Sequence, residues 1–241
     1  MVKVYDPLEF QAESFDGARS DASIVGEQVF TVVLPSKGKH GYPAKIRCRP
    51  LKVRDIKSLI EDPFEDEIEY VRRLARVIQG TILDAGINVL EMTMADFKKL
   101  LLAHRVNSLG SDIEIAYLCS CRDEMQVVRF DLMSLEEKEI TAEYEEPVRV
   151  GSLELRFPRL WGYLPEGKRS FDEVTDFDVL KSVVIGKEVE DLDLKEAKAA
   201  IEFVRKWEGS YGVQSEIEVP CKFCKKNVKV AIPYFSFFLK W

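Results

Sequence analysis

Apolar residues recur at three- and four-residue intervals through Ile68, Val71, Leu74, Ala75, Ile78 and Ile82, with charged residues between them. That period predicts an amphipathic helix over residues 65–83. A second helix is expected from Thr93, where Thr-x-x-Asp96 reads as a capping-box-like start, through Phe97, Leu100 and Leu101 to a stop at Gly110. A third is expected around Phe177, Val179, Leu180, Val183 and Val184. A fourth starts at Asp193-x-x-Glu196, carries Ala197, Ala200, Ile201, Val204 and Trp207 on one face, and ends before Gly209.

Elsewhere the period falls to two. Residues 29–34 and 44–50 are β-favouring runs around a Gly- and Pro-rich connection, which predicts a hairpin and assigns Lys37-Gly38-Lys39-His40-Gly41 to turn chemistry. Ile113, Ile115 and Tyr117 alternate with polar residues before Cys119-Ser120-Cys121, and Val127, Val128, Phe130 and Leu132 follow it. Two more strands are expected at residues 140–148 and 152–157, before the breakers Pro158 and Pro165. Residues 1–28 are acidic and lack a sustained period, so they read as an extended arm without a core of its own. Val4, Tyr5, Leu8, Phe10 and Phe15 are spaced along it as anchors for a partner. The expected fold is α+β: an arm at 1–28, a hairpin, helices and the first cysteine hairpin at 29–160, and a helical segment with a second cysteine hairpin at 161–241.

Composition narrows the function classes. At 46% hydrophobic, 241 residues can bury a substantial core, and a net charge of −7 disfavours binding to nucleic acid or anionic membrane. No export signal and no apolar run of membrane-spanning length is found, which points to a soluble, non-secreted chain with reduced thiols. No phosphate-cradle, zinc-protease or nucleophile-elbow motif occurs. Of the two histidines, His40 lies in the Gly/Pro loop and His104 falls at core spacing on a helix. The expectation is a non-enzymatic protein.

The cysteines carry the sharpest signal. Ser-Asp-Ile-Glu-Ile at 111–115 and Ser-Glu-Ile-Glu-Val at 215–219 each lead into two cysteines in a polar tip and then an alternating strand. This weak internal repeat supplies four thiols, Cys119, Cys121, Cys221 and Cys224, as candidate ligands of a structural zinc in a zinc-ribbon-like unit built from distant hairpins. The competing reading is a set of reduced thiols. Lys222, Lys225, Lys226 and Lys229 surround the second pair, where they offset thiolate charge or, in the alternative of a zinc-ribbon nucleic-acid-binding protein, meet phosphates. Cys48 reads as a small core residue. Tyr234, Phe235, Phe237, Phe238 and Trp241 either pack back on the helices or form a partner interface.

Leu34-Pro35-Ser36-Lys37-Gly38, Arg49-Pro50-Leu51, the run from His104 to Gly110, Phe130-Asp131-Leu132 and Val219-Pro220-Cys221-x-x-Cys224 follow one another in an order that resembles the baseplate hub subunit and tail assembly family of T-even-like contractile-tailed bacteriophages. The resemblance implies a structural or assembly role in the tail baseplate of the virion, put together in the host cytoplasm. It implies as partners other baseplate hub, tail tube or tape-measure proteins.

Overall fold

In the computed structural model, which describes residues 28–60, 66–141 and 145–238, the first β-favouring runs become strands β1 (Phe30–Val33) and β2 (Lys45–Cys48), paired antiparallel with Phe30 opposite Cys48. The expected arm lies outside the described residues except for Gln28. The connecting loop takes its shape from left-handed backbone at Lys37, Gly38 and Gly41, which only glycine adopts without strain. A short helix that periodicity did not announce, α1 (Val53–Ile60), follows. It buries only Ile56 and Leu59 among its apolar residues, and a two-point Arg49–Asp55 ion pair fixes its start.

Helix α2 (Glu67–Gln79) buries Ile68, Val71, Leu74, Ala75 and Ile78, as its period requires. It stops short of the expected end because Gly80 and Thr81 turn the chain back, with both amides donating into the last helical turn. Ile82 therefore leaves the helix and bridges Cys48, beside the Leu83 amide that donates to the Arg47 carbonyl. Helix α3 (Met94–Leu109) begins at Thr93, whose hydroxyl accepts from the Asp96 amide. Only half of a capping box forms. The Asp96 carboxylate is buried and accepts instead from the Ser36 amide, the Tyr42 hydroxyl and the Thr93 hydroxyl, so it ties the β1–β2 loop to the helix.

Strands β3 (Asp112–Leu118) and β4 (Met125–Asp131) form the first cysteine hairpin over seven paired positions. Strand β5 (Glu137–Lys138) follows it. The strand expected at 140–148 does not form as read; residues 142–144 lie outside the described residues, and pairing begins only at β6 (Val148–Val150). Before it, the Glu146 carboxylate is held by Arg159 and the Phe157 amide, faces His40 Nδ1 at 3.0 Å, and is followed by a proline with no amide to donate. β6 pairs with β7 (Leu153–Leu155).

Helix α4 (Asp176–Leu180), with a full Thr175/Asp178 capping box, is shorter than the expected helix over Phe177–Val184. Ser182 folds back on the Val179 carbonyl, Val183 accepts from the Arg156 amide, and β-branched Val184 and Ile185 become strand β8 on the β7 edge. Helix α5 (Leu194–Trp207) has the predicted Asp193/Glu196 capping box and buries Ala197, Ala200, Phe203, Val204 and Trp207. Strand β9 (Gly212–Val213) pairs with β5, and β10 (Glu216–Pro220) pairs with β11 (Asn227–Ala231) as the second cysteine hairpin.

Two groups of buried apolar side chains result. The larger joins the β1–β2 hairpin, α1, α2, α3 and both cysteine hairpins; the smaller joins β7, α4, α5 and Tyr211. Tyr234, Phe237 and Phe238 are buried in the larger group, and Phe235 stacks between Phe97 and Phe171, so these C-terminal aromatics pack back on the protein. Trp241 lies outside the described residues. Between the groups runs a buried polar chain from Asp96 through Thr93 and Tyr211 to His40 and Glu146.

Gly162 packs where no side chain fits. A Cβ there would stand 2.3 Å from Ser182 Oγ and 2.7 Å from Ser182 Cβ. That hydroxyl accepts from the Arg159 amide and donates to the Val179 carbonyl. Gly162→Ala is expected to lower stability by about 2–3 kcal/mol, through overpacking and the loss of that buried hydrogen bond. Urea denaturation measures the difference.

Candidate metal centre

The two cysteine hairpins present their tips to each other. Each strand pair alternates, so β3 turns Ile115 and Tyr117 inward and β10 turns Ile217 and Val219 inward, and all four are buried in the same apolar group. Burial of those inner faces fixes the register of both hairpins, because a one-residue slip would put the apolar set into water. The cysteines then fall at the ends of two strand pairs already docked side by side.

At the first tip, the Arg122 amide donates to the Cys119 carbonyl at 3.1 Å, a tight turn that brings Cys119 and Cys121 to one side despite the single residue between them. At the second, the Lys225 amide donates to the Cys221 carbonyl and the Cys221 amide to the Lys226 carbonyl, with left-handed backbone at Lys225. The four sulfurs lie within 4.8 Å of one another. Cys119 Sγ is 3.7 Å from Cys224 Sγ, and Cys121 Sγ is 3.6 Å from Cys221 Sγ. A tetrahedral site with metal–sulfur bonds near 2.3 Å has sulfur–sulfur edges of about 3.8 Å. The set therefore has the size of a four-thiolate cage and can hold a metal ion.

The surroundings favour thiolate at one ligand in particular. Hydrogen bonds from the Cys224 amide, the Gln126 side chain and the Phe223 amide bring the Cys221 thiol down to about 6, against the upward pull of burial. Cys121 is pushed up to about 12, first by its hydrogen bond to Cys119 and then by burial and the other two sulfurs. Four thiols this close cannot all ionise without a cation between them, because each new negative charge raises the cost of the next. A divalent cation would reverse that, and the exposed Lys222, Lys225, Lys226 and Lys229 are neighbours of Cys221 and Cys224 along the chain.

The sequence reading missed Gln126. Its side chain is buried, donates to Cys221 Sγ at 3.4 Å, and accepts from the Lys222 amide and the Tyr117 hydroxyl. It thus orients the second tip from the first hairpin, as outer groups orient metal ligands. The signal was present, since Gln126 is a polar residue at an inward position of an alternating strand. Arg122 adds a further tie across the tips by lying over the Phe223 ring at 4.4 Å.

The remaining candidates stay apart from this cluster. Cys48 is fully buried in β2, and burial pushes its thiol up to about 12, with nearby Asp84 adding to the effect. His104 is a core residue bonded to Thr81, and His40 belongs to the buried polar chain. Among the described residues, no helix is long and apolar enough to cross a membrane.

No curated protein and no solved structure matches the chain. The sequence does match the family described as T4 bacteriophage base plate protein, over residues 27–202, a span that contains the first cysteine tip and stops before the second. With nearly three quarters of its length inside that match, the chain belongs to the T4 bacteriophage base plate protein family and has the structural role in the phage tail baseplate that the family implies.

Proposed function

We propose that this protein is a baseplate hub component whose two cysteine hairpins are clamped by one structural zinc ion, giving a zinc-ribbon-like unit. It binds other hub, tail tube or tape-measure proteins as the baseplate is assembled in the host cytoplasm, and it stays in the virion tail. The observation that carries the metal reading is the convergence of four sulfurs within 4.8 Å from tips about a hundred residues apart. A tetrahedral set of four thiolates suits zinc, which would supply the negative tips with a shared cation. With four sulfurs as ligands no position is left open for water, so the role is structural and not hydrolytic. The hub assignment is supported by the order of elements and short motifs from Leu34 to Phe238.

Elemental analysis of protein purified without added metal should find one equivalent of zinc per chain. Metal-free protein with freely titratable thiols at all four positions would overturn the zinc assignment. Mass spectrometry of purified tails should find the chain at a fixed ratio to other baseplate proteins, and its absence from finished particles would overturn the virion assignment.

The exposed lysines at the second tip favour one other reading, a zinc-ribbon nucleic-acid binder. The net charge of −7 opposes it, and submicromolar, sequence-selective binding at physiological salt would be needed to establish it.

A further inference from the structure

Two short sulfur contacts cross between the hairpins, Cys121 to Cys221 at 3.6 Å and Cys119 to Cys224 at 3.7 Å, in a cluster whose four sulfurs all lie within 4.8 Å of one another. Sequence habit would pair Cys221 with Cys224, since a two-residue spacing is the usual dithiol motif. The cross-hairpin pairing is favoured by those short separations and by Gln126 of the first hairpin, which donates to Cys221 Sγ at 3.4 Å and draws that sulfur across the gap. At the first tip, a bridge between Cys119 and Cys121 would have to close over a single residue.

We propose that these four cysteines are a covalent modification site: on oxidation they form two cross-hairpin disulfides, Cys119–Cys224 and Cys121–Cys221, which replace the metal clamp. This rests on the reading of the cluster as a metal site in a particle that leaves the host. Inside the reducing cytoplasm the thiolates hold the ion. Outside, peroxide or another two-electron oxidant is available and disulfides persist.

The chemistry balances pair by pair. Two thiolates lose two electrons and one sulfur–sulfur bond forms; one hydrogen peroxide takes up those electrons with two protons and leaves as two waters. Two such events consume all four thiolates and release the ion to solvent. The tips remain joined, because the new bonds link segments 105 and 100 residues apart that the metal linked before. Cys48, fully buried in β2, takes no part.

Full-length protein is oxidised with hydrogen peroxide in the folded state, the oxidant is removed, remaining thiols are blocked with N-ethylmaleimide in denaturant, and the unreduced digest is mapped by mass spectrometry. The expected result is a monomer with one blocked thiol, Cys48, and peptides linking Cys119 to Cys224 and Cys121 to Cys221. In chelator, the oxidised protein should melt on the order of 10 °C above the reduced protein, as bonds closing loops of this length predict. Recovery of Cys221–Cys224 or Cys119–Cys121 links, of intermolecular dimers, or of sulfinic and sulfonic acids at these positions overturns the proposal. Metal content measured before oxidation tests the zinc reading separately, since the connectivity of the sulfurs can come out either way whether or not an ion was bound.

Discussion

Replacing Cys221 by serine is expected to abolish stoichiometric metal retention and to lower the melting temperature on the order of 10 °C. A metal ion held by the four sulfurs would close a loop from the first hairpin to the second across about a hundred residues, so its binding energy would act directly on the fold. A serine hydroxyl is a poor substitute for thiolate, and three ligands hold an ion far less tightly than four. Loss of several kcal/mol at about 2–4 °C per kcal/mol gives the expected shift for a chain of this length. Cys119→Ser should cost as much as Cys221→Ser, because each contributes one ligand to the same cage. Calorimetry with parallel metal analysis measures both. If Cys119→Ser were silent while Cys221→Ser was severe, the second tip would be acting alone and the shared cage would be wrong.

Acid should weaken the fold well above the range in which carboxylates protonate. Burial holds the His104 ring down to about 3, and the nearby Arg49 charge adds to the effect. Thr81 donates its hydroxyl proton to the Ile78 carbonyl, so the imidazole must donate from Nε2 to Thr81, and Nδ1 is left with no protein partner. A second proton would place an uncompensated charge in the core, beside the Phe30 ring that packs edge-on against the imidazole.

Between pH 3 and about 6.5 the unfolded chain therefore binds a proton at His104 that the folded chain does not, and stability falls as pH falls through that window. The expected loss is about 3 kcal/mol at pH 4.5 relative to pH 7. Glu146 adds to it lower down. Burial raises that carboxyl, but the contacts with His40, Arg159 and the Phe157 amide outweigh burial and leave it below its ordinary range. Its contribution is present above about pH 4.3 and is lost as pH falls through its folded value.

Urea midpoints across pH 7 to 4.5 read the slope, and His104→Gln, which keeps a donor for Thr81 but cannot titrate, should flatten it. Any acid release of metal from the cysteine cluster would affect both proteins alike, so the difference between them isolates the histidine. Equal slopes in the two proteins would rule out the buried imidazole as the cause.

The amino-acid pattern determined the elements whose signals are local. Helices α2, α3 and α5 follow from apolar residues at i, i+3 and i+4 and from Thr93 and Asp193 at their starts, because helix hydrogen bonds and caps join residues four or fewer apart. Both cysteine hairpins follow from alternation around polar tips, since strand faces repeat every two residues. The candidate ligands were legible for the same reason, as two close pairs each in a turn. Tertiary structure decided everything that depends on partners distant in sequence. It took Val184 out of a helical pattern because the β7 edge offered its backbone a strand to pair with. It made Asp96 a buried acceptor for Ser36 and Tyr42, sixty and fifty-four residues away, where local spacing read a cap. It chose between core and interface for Tyr234, Phe237 and Phe238, and it set which sulfur faces which across the two tips. No local period encodes such contacts. They form only when burial of two apolar hairpin faces in one core brings the ends of those hairpins together.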